Sequence, residues 1–175
     1  MNSTKDKNAA GKKSGQEVKH VGSYRRQRGF EVVAAYAGGD IKLPQRKTAA
    51  SAGYDISAAE AVTLPPGQVV LVPTGIKAYM QPDEYLGLHV RSGFSIKNRV
   101  SCINSQGVID ADYYNNPDYE GHIMVPLVNH GENIVEILKG MRIAQGIFYR
   151  YLTVDGDEAG CGTGRQGGFG STGDS

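Results

Sequence analysis

Across residues 30–149 the chain is written in strand-length apolar runs, each interrupted by turn residues before a helical face can build up. Residues 31–34, 68–72, 85–90, 122–128 and 143–149 are such runs, rich in β-branched side chains and bounded by Gly, Pro, Asn or Asp. Pro65-Pro66-Gly67, Pro73-Thr74-Gly75, Gln81-Pro82-Asp83 and the stretch from Asn129 to Asn133 supply turn signals at nearly regular spacing. No helical period persists over a long window, so an all-β sandwich or barrel is expected. Proline cannot donate to a ladder, and Pro126 inside one run is therefore expected at an edge or a bulge. A chain of 175 residues has room for one such domain and little more.

The net charge of +1 conceals an asymmetry. Residues 1–28 carry eight Lys/Arg against Asp6 and Glu17, a balance of +6, and the remainder stands at −5. Met1, Val18, Val21 and Tyr24 are the only large apolar residues of that segment, too few to offset its ordering entropy. We expect residues 1–28 to be a disordered basic tail. Weak attraction to nucleic acid is one alternative and an appended extension another. The near-neutral whole argues against an obligate nucleic-acid binder. No run approaches the roughly 18 apolar residues of a membrane span, and no apolar stretch at the N-terminus suggests a signal peptide. Cys102 and Cys161 suit free thiols of a cytoplasmic protein better than a disulfide framework or a metal cage.

Glycine is in excess, 24 in all, with six between Gly162 and Gly173. Composition alone makes residues 153–175 a frayed terminus. Yet Phe169 stands among these glycines, with Arg165 before it and Ser171-Thr172 after it. An aromatic face, a guanidinium and two hydroxyls suit a segment that closes over a planar, anionic ligand. Gly162 to Gly167 formally matches the dinucleotide fingerprint G-x-G-x-x-G, but no βαβ unit surrounds it. A P-loop fails as well, because Ser171 stands where a lysine is required.

Four further segments place polar residues where strands should end. In Ser51-Ala52-Gly53-Tyr54-Asp55-Ile56 an aspartate lies beside a glycine turn, by itself an ordinary turn carboxylate. Arg91-Ser92-Gly93 offers a guanidinium, a hydroxyl and open backbone, which is phosphate-binding chemistry. Residues 107–113, GVIDADY, end a run on acids, and residues 140–145, GMRIAQ, set one amide on a strand.

Each segment is weak alone, but their order is informative. SAGYDI at 51–56, RSGF at 91–94, GVIDADY at 107–113, GMRIAQ at 140–145 and GGFGSTG at 167–173 resemble the five ordered motifs of the trimeric deoxyuridine triphosphate nucleotidohydrolases, or dUTPases. The resemblance implies a jelly-roll-like β fold over residues 29–152. It also implies a homotrimer, and a flexible C-terminal arm over 153–175 that closes on a site built by other subunits.

It further implies hydrolysis of dUTP to dUMP and pyrophosphate with Mg²⁺. Asp110 matches the carboxylate that activates the attacking water, and Tyr113 the aromatic that packs on deoxyribose and excludes a 2′-hydroxyl. Asn104 matches an amide facing the uracil edge, with Gly107 in the same binding segment. Arg91, Ser92, Gly93 and Gln145 match phosphate contacts. Phe169 matches the ring that stacks on uracil, while Arg165, Gly170, Ser171 and Thr172 approach the γ-phosphate. Asp55 matches an acid acting on the metal through water, with the ion held mainly by triphosphate oxygens.

Three features depart from the family pattern. Residues 114–120 are longer than usual, and their acids Asp118 and Glu120 either lie near the metal or lengthen a hairpin. Arg165 is one residue closer to Phe169 than in many relatives, and Met141 replaces a usually acidic residue. The related dCTP deaminases are the nearest rival, but they need a glutamate in the third motif. A nucleotide-responsive binding protein, docking on a regulatory partner as some phage relatives do, is the rival of another class.

Overall fold

The computed structural model describes residues 26–158. Twelve strands and one short helix follow in chain order. They are β1 (Gly29–Val32), β2 (Gln45–Arg46), β3 (Tyr54–Ser57), β4 (Val62–Leu64), β5 (Val69–Pro73), β6 (Ile76–Tyr79), β7 (Glu84–Val90), α1 (Ser92–Asn98), β8 (Val100–Cys102), β9 (Gly107–Asp110), β10 (Met124–Asn129), β11 (Val135–Ile137) and β12 (Arg142–Arg150). The fold is all-β and jelly-roll-like, as expected. All strand pairs are antiparallel, in sheets ordered β1-β6, β5-β10-β8, β11-β4 and β2-β3-β12-β7-β9.

Alternation explains which face is buried. In β7, Leu86 and Leu88 enter the core while Tyr85 and His89 face the other way. Ile56, Leu64, Val72, Ile76, Leu127, Ile137 and Ile143 join them in one continuous apolar cluster. β12 is the long central strand, paired with β3 on one side and β7 on the other. It therefore sets residues of three distant motifs side by side.

Pro126 corrects the expectation for it. β10 is the middle strand of its sheet, between β5 and β8. Leu127 pairs with Cys102, so Pro126 stands opposite Ile103, one residue past the end of β8. The Ile103 N–H donates to the Pro126 carbonyl at 3.1 Å, and proline has no N–H to return the bond. A central strand accommodates the proline because its missing donor falls where the neighbouring strand stops.

His122 lies just before β10. Its Nε2 accepts the Gly75 N–H at 2.9 Å, its ring packs 5.3 Å from that of Tyr36, and its carbonyl accepts the Tyr113 hydroxyl at 3.0 Å. Burial pushes the imidazole below the usual histidine value, while Glu60 and Glu120 pull it upward. The unfolded chain takes up this proton near about pH 6.5, the folded chain only at lower pH. Stability carried by neutral His122 is thus complete above about pH 6.5, and is lost as pH falls from there through the lowered folded value. Glu31 and Glu84, held below the usual carboxylate range by hydrogen bonds from Tyr114 and Arg28, lose their contributions at lower pH still. We expect the melting temperature to drop by several degrees between about pH 7.5 and 5.5, and to drop less in a His122→Gln chain. Parallel profiles for the two chains would remove His122 as the cause.

Candidate active site

Two motif residues lie in one row across the five-stranded sheet with His89, two residues before a third motif. Gln145 on β12 pairs with Asp55 on β3 and with His89 on β7, and cross-strand neighbours share a face. Two residues after His89, Arg91 leaves the strand and Ser92 opens α1. The Arg91 Nε lies 2.8 Å from Asp55 Oδ1, and Arg142 Nη1 lies 2.8 Å from Oδ2. Both carboxylate oxygens are thereby engaged by guanidinium groups, and the pair of arginines leaves the local charge positive.

Gly53 leaves room for a neighbouring side chain. A β-carbon at this residue would stand 2.4 Å from Gln145 Oε1 and 3.2 Å from its Cβ, so the Gln145 amide occupies the space that glycine leaves. Lys47, Ser51, Gly53, Asp55, Arg91, Ser92 and Gln145 enclose a cavity of about 190 Å³. Donors from Lys, Arg, Ser and Gln around such a cavity suit phosphate oxygens. Gly93 faces open space, leaving its backbone uncovered. A second, larger cavity of about 490 Å³ shares Lys47 and Asp55 and adds Lys42, Arg46 and Arg142. Lys47 and Arg142 are not among the candidates read from the sequence. Arg142 lies within the GMRIAQ segment, and Lys47 four residues before SAGYDI; a basic residue next to a turn carries no signal that separates it from solvated surface.

The third motif is elsewhere. β9 carries Gly107 opposite Leu88 and Asp110 opposite Tyr85. Asp110 then leads into the 3-10 turn Ala111–Tyr113, where Tyr113 is 5% exposed. Asn104 is exposed in the turn before β9, and its carbonyl accepts the Gln106 N–H at 2.7 Å. Gln106, another residue not anticipated, touches His89 Nε2 with its Nε2 at 3.1 Å. It crosses the strand over Gly87, where a β-carbon would lie 2.5 Å from that nitrogen. Along β7, Asp110 stands beside Tyr85 near the start and Arg91 follows Val90 at the end. Six residues of extended chain separate these stations by about 20 Å.

The structure therefore brings Asp55, Arg91, Ser92 and Gln145 together and sets Asp110 with Tyr113 apart from them. Arg165, Phe169, Gly170, Ser171 and Thr172 lie outside the described residues. Among the described residues, no group of three or more His, Cys, Asp or Glu gathers as a metal cage, and no helix is long and apolar enough to cross a membrane.

A family model for dUTPase matches residues 39–173. The chain belongs to the dUTPase family. It is 52% identical over 146 residues to the deoxyuridine 5'-triphosphate nucleotidohydrolase of Lactococcus lactis subsp. lactis, a match covering 83% of this chain and 97% of that relative. The Bartonella henselae protein of the same name is 37% identical over 78% of each chain. The crystal structure of dUTPase from Streptococcus mutans superposes with a TM-score of 0.70 at 47% identity, covering 73% of this chain and 99% of that one. The Staphylococcus bacteriophage 80alpha dUTPase, at 22% identity and a TM-score of 0.62, shares the fold. The family match of this dUTPase excludes the basic residues 1–28 and includes the glycine-rich end.

Proposed function

We propose that this dUTPase hydrolyses dUTP to dUMP and pyrophosphate, keeping uracil out of DNA and supplying dUMP for thymidylate synthesis. The observation that carries the reading is the convergence of the first, second and fourth motifs on one positively lined cavity. Arg91, Ser92, Gln145 and Lys47 hold the phosphates there, with the open backbone at Gly93. Asp110 holds the attacking water and takes its proton as the water oxygen bonds to the α-phosphorus. The bond from that phosphorus to the α–β bridging oxygen breaks, and pyrophosphate leaves into the cavity. Tyr113 packs against deoxyribose and leaves no space for a 2′-hydroxyl. Asn104 pairs with the uracil edge, and Gly107 lets the backbone approach the base. From the C-terminal arm, residues 153–175, Phe169 covers uracil, while Arg165, Gly170, Ser171 and Thr172 meet the γ-phosphate.

A donor set of guanidinium, ammonium, amide and hydroxyl fits the triphosphate rather than a bare cation. Mg²⁺ would enter on the phosphate oxygens, with Asp55 facing its water shell, and would supply charge neutralisation. In-line positioning and charge stabilisation account for the rate. The separation of about 20 Å between Asp110 and Arg91 along β7 exceeds what one triphosphate bridges. One copy therefore supplies the water-activating segment and another the phosphate cavity, which supports a homotrimer with shared sites. The chain is expected to work in the cytoplasm, with a catalytic domain over 29–152 to which Arg28 of the preceding segment is tied through the buried Glu84.

Pyrophosphate release with Mg²⁺ across dUTP, dCTP, dTTP and UTP tests the reading. Turnover of dUTP should exceed that of each competitor by about 100-fold or more, with no ammonia from dCTP. Ammonia release, or equal hydrolysis of all four, would overturn it.

A further inference from the structure

Residues 114–120, the segment longer than in most relatives, are bolted to the domain by a buried lysine. Lys77 on β6 is 7% exposed. Its Nζ donates to Asn115 Oδ1 at 2.6 Å and to Glu120 Oε1 at 2.6 Å. It also lies 3.9 Å from Glu31 Oε2 and 5.2 Å from the centre of the Tyr114 ring. The other Glu120 oxygen accepts the Ala34 N–H at 2.8 Å, and the Tyr114 hydroxyl donates to Glu31 at 2.6 Å. A buried ammonium needs such partners, because it cannot remain charged without them. Residues 114–120 form turns rather than the lengthened hairpin expected for them, with Glu120 held by Lys77.

The bolted segment grips Tyr113 in turn. Asn116 donates to the Tyr113 carbonyl from its side chain at 2.8 Å. Gly121, at φ +77, passes so close that a β-carbon would stand 2.7 Å from the same oxygen. The Tyr113 hydroxyl is tied to the His122 carbonyl. Asn115 and Glu120 both adopt left-handed backbone, at φ 57 and 56, a conformation that persists for such residues when surrounding contacts impose it. Both are the residues that Lys77 holds.

We infer that Lys77 is a positioning residue for the reaction: by locking residues 114–120 it sets where Tyr113 stands, three residues after Asp110. The inference rests on the reading of those two residues given above. Lys77 touches no substrate in this scheme and acts through the loop, so it governs geometry in the water-activating half of the site without touching the phosphate cavity.

The test compares the parent chain with Lys77→Met and Glu120→Gln. A displacement of about 1 Å at a reacting group lowers turnover by up to about 100-fold. Lys77→Met is accordingly expected to lower kcat about 10- to 100-fold and to leave KM for dUTP within about threefold. The preference for dUTP over UTP should fall about tenfold as the Tyr113 ring shifts. Glu120→Gln keeps an oxygen on Lys77 and should retain most of the activity. Hydrogen exchange over residues 110–121 should speed about tenfold in Lys77→Met, with residues 84–90 unchanged. Wild-type kcat and dUTP preference in a Lys77→Met chain that merely melts earlier would overturn the inference, as would unchanged exchange. Should Lys77→Met not fold, Glu120→Ala removes the more exposed partner and carries the same two readouts. A parent chain inactive on dUTP would sink the proposed function, while the exchange measurement would still decide whether Lys77 holds the loop.

Discussion

An Asp110→Asn chain is expected to bind dUTP about as tightly as the parent and to release pyrophosphate about 10²- to 10⁴-fold more slowly, the span that a positioned general base contributes. The substitution keeps the shape and the end of β9, where the backbone pairs with Tyr85, and removes the carboxylate proposed to take the proton of the attacking water. The cavity lined by Arg91, Ser92 and Gln145, proposed to take the phosphates, lies elsewhere on the same chain, which is why binding should survive. Single-turnover rates and equilibrium binding of dUTP, measured side by side, separate the two effects. Parent-like turnover would mean that another group activates the water.

Mixing two inactive chains should restore activity. Arg91→Ala strips the cavity of a guanidinium and leaves Asp55 to Arg142 alone. Loss of such a charge-stabilising donor lowers turnover by about 10²- to 10³-fold. Equal amounts of Arg91→Ala and Asp110→Asn chains, co-expressed or refolded together, are expected to form random trimers. A site that takes Asp110 from one copy and Arg91 from another is intact whenever the first copy carries Arg91→Ala and the second Asp110→Asn, about one site in four. Recovery to about a quarter of parent activity is the expected result. A site contained within one chain would recover nothing, because every chain then carries one defect.

Much of this architecture is legible in the sequence, for physical reasons. Leu86 and Leu88 alternate with Tyr85 and His89, so β7 announces both its period and its buried face. Arg91 and Ser92 follow a strand end, Asp55 and Gln145 sit within strands next to or near glycines, and the order of these segments carries the family resemblance. What the sequence conceals is long-range pairing. Lys47 and Arg142 look like solvated cations until the fold places them around Asp55 and the cavity. Lys77 sits in an unremarkable strand, and its partner Glu120 is 43 residues away. Gln106 meets His89 because Gly87 lacks a side chain, a coincidence of register that composition does not encode. Pro126 reads as an edge residue because the sequence does not say where its neighbour strand ends.

That proline has a consequence for how the chain is dealt out between sheet and hairpin. The Ile103 N–H to Pro126 carbonyl bond is the last rung on that side of β10, and the missing return bond acts as a zipper stop. Beyond it the backbone is released, and Asn104 begins the excursion that becomes β9. A Pro126→Val chain would let β8 zip by one further residue, Ile103. The proline thus works as a measuring mark, counting how much chain is paid out before the segment ending at Asp110 begins.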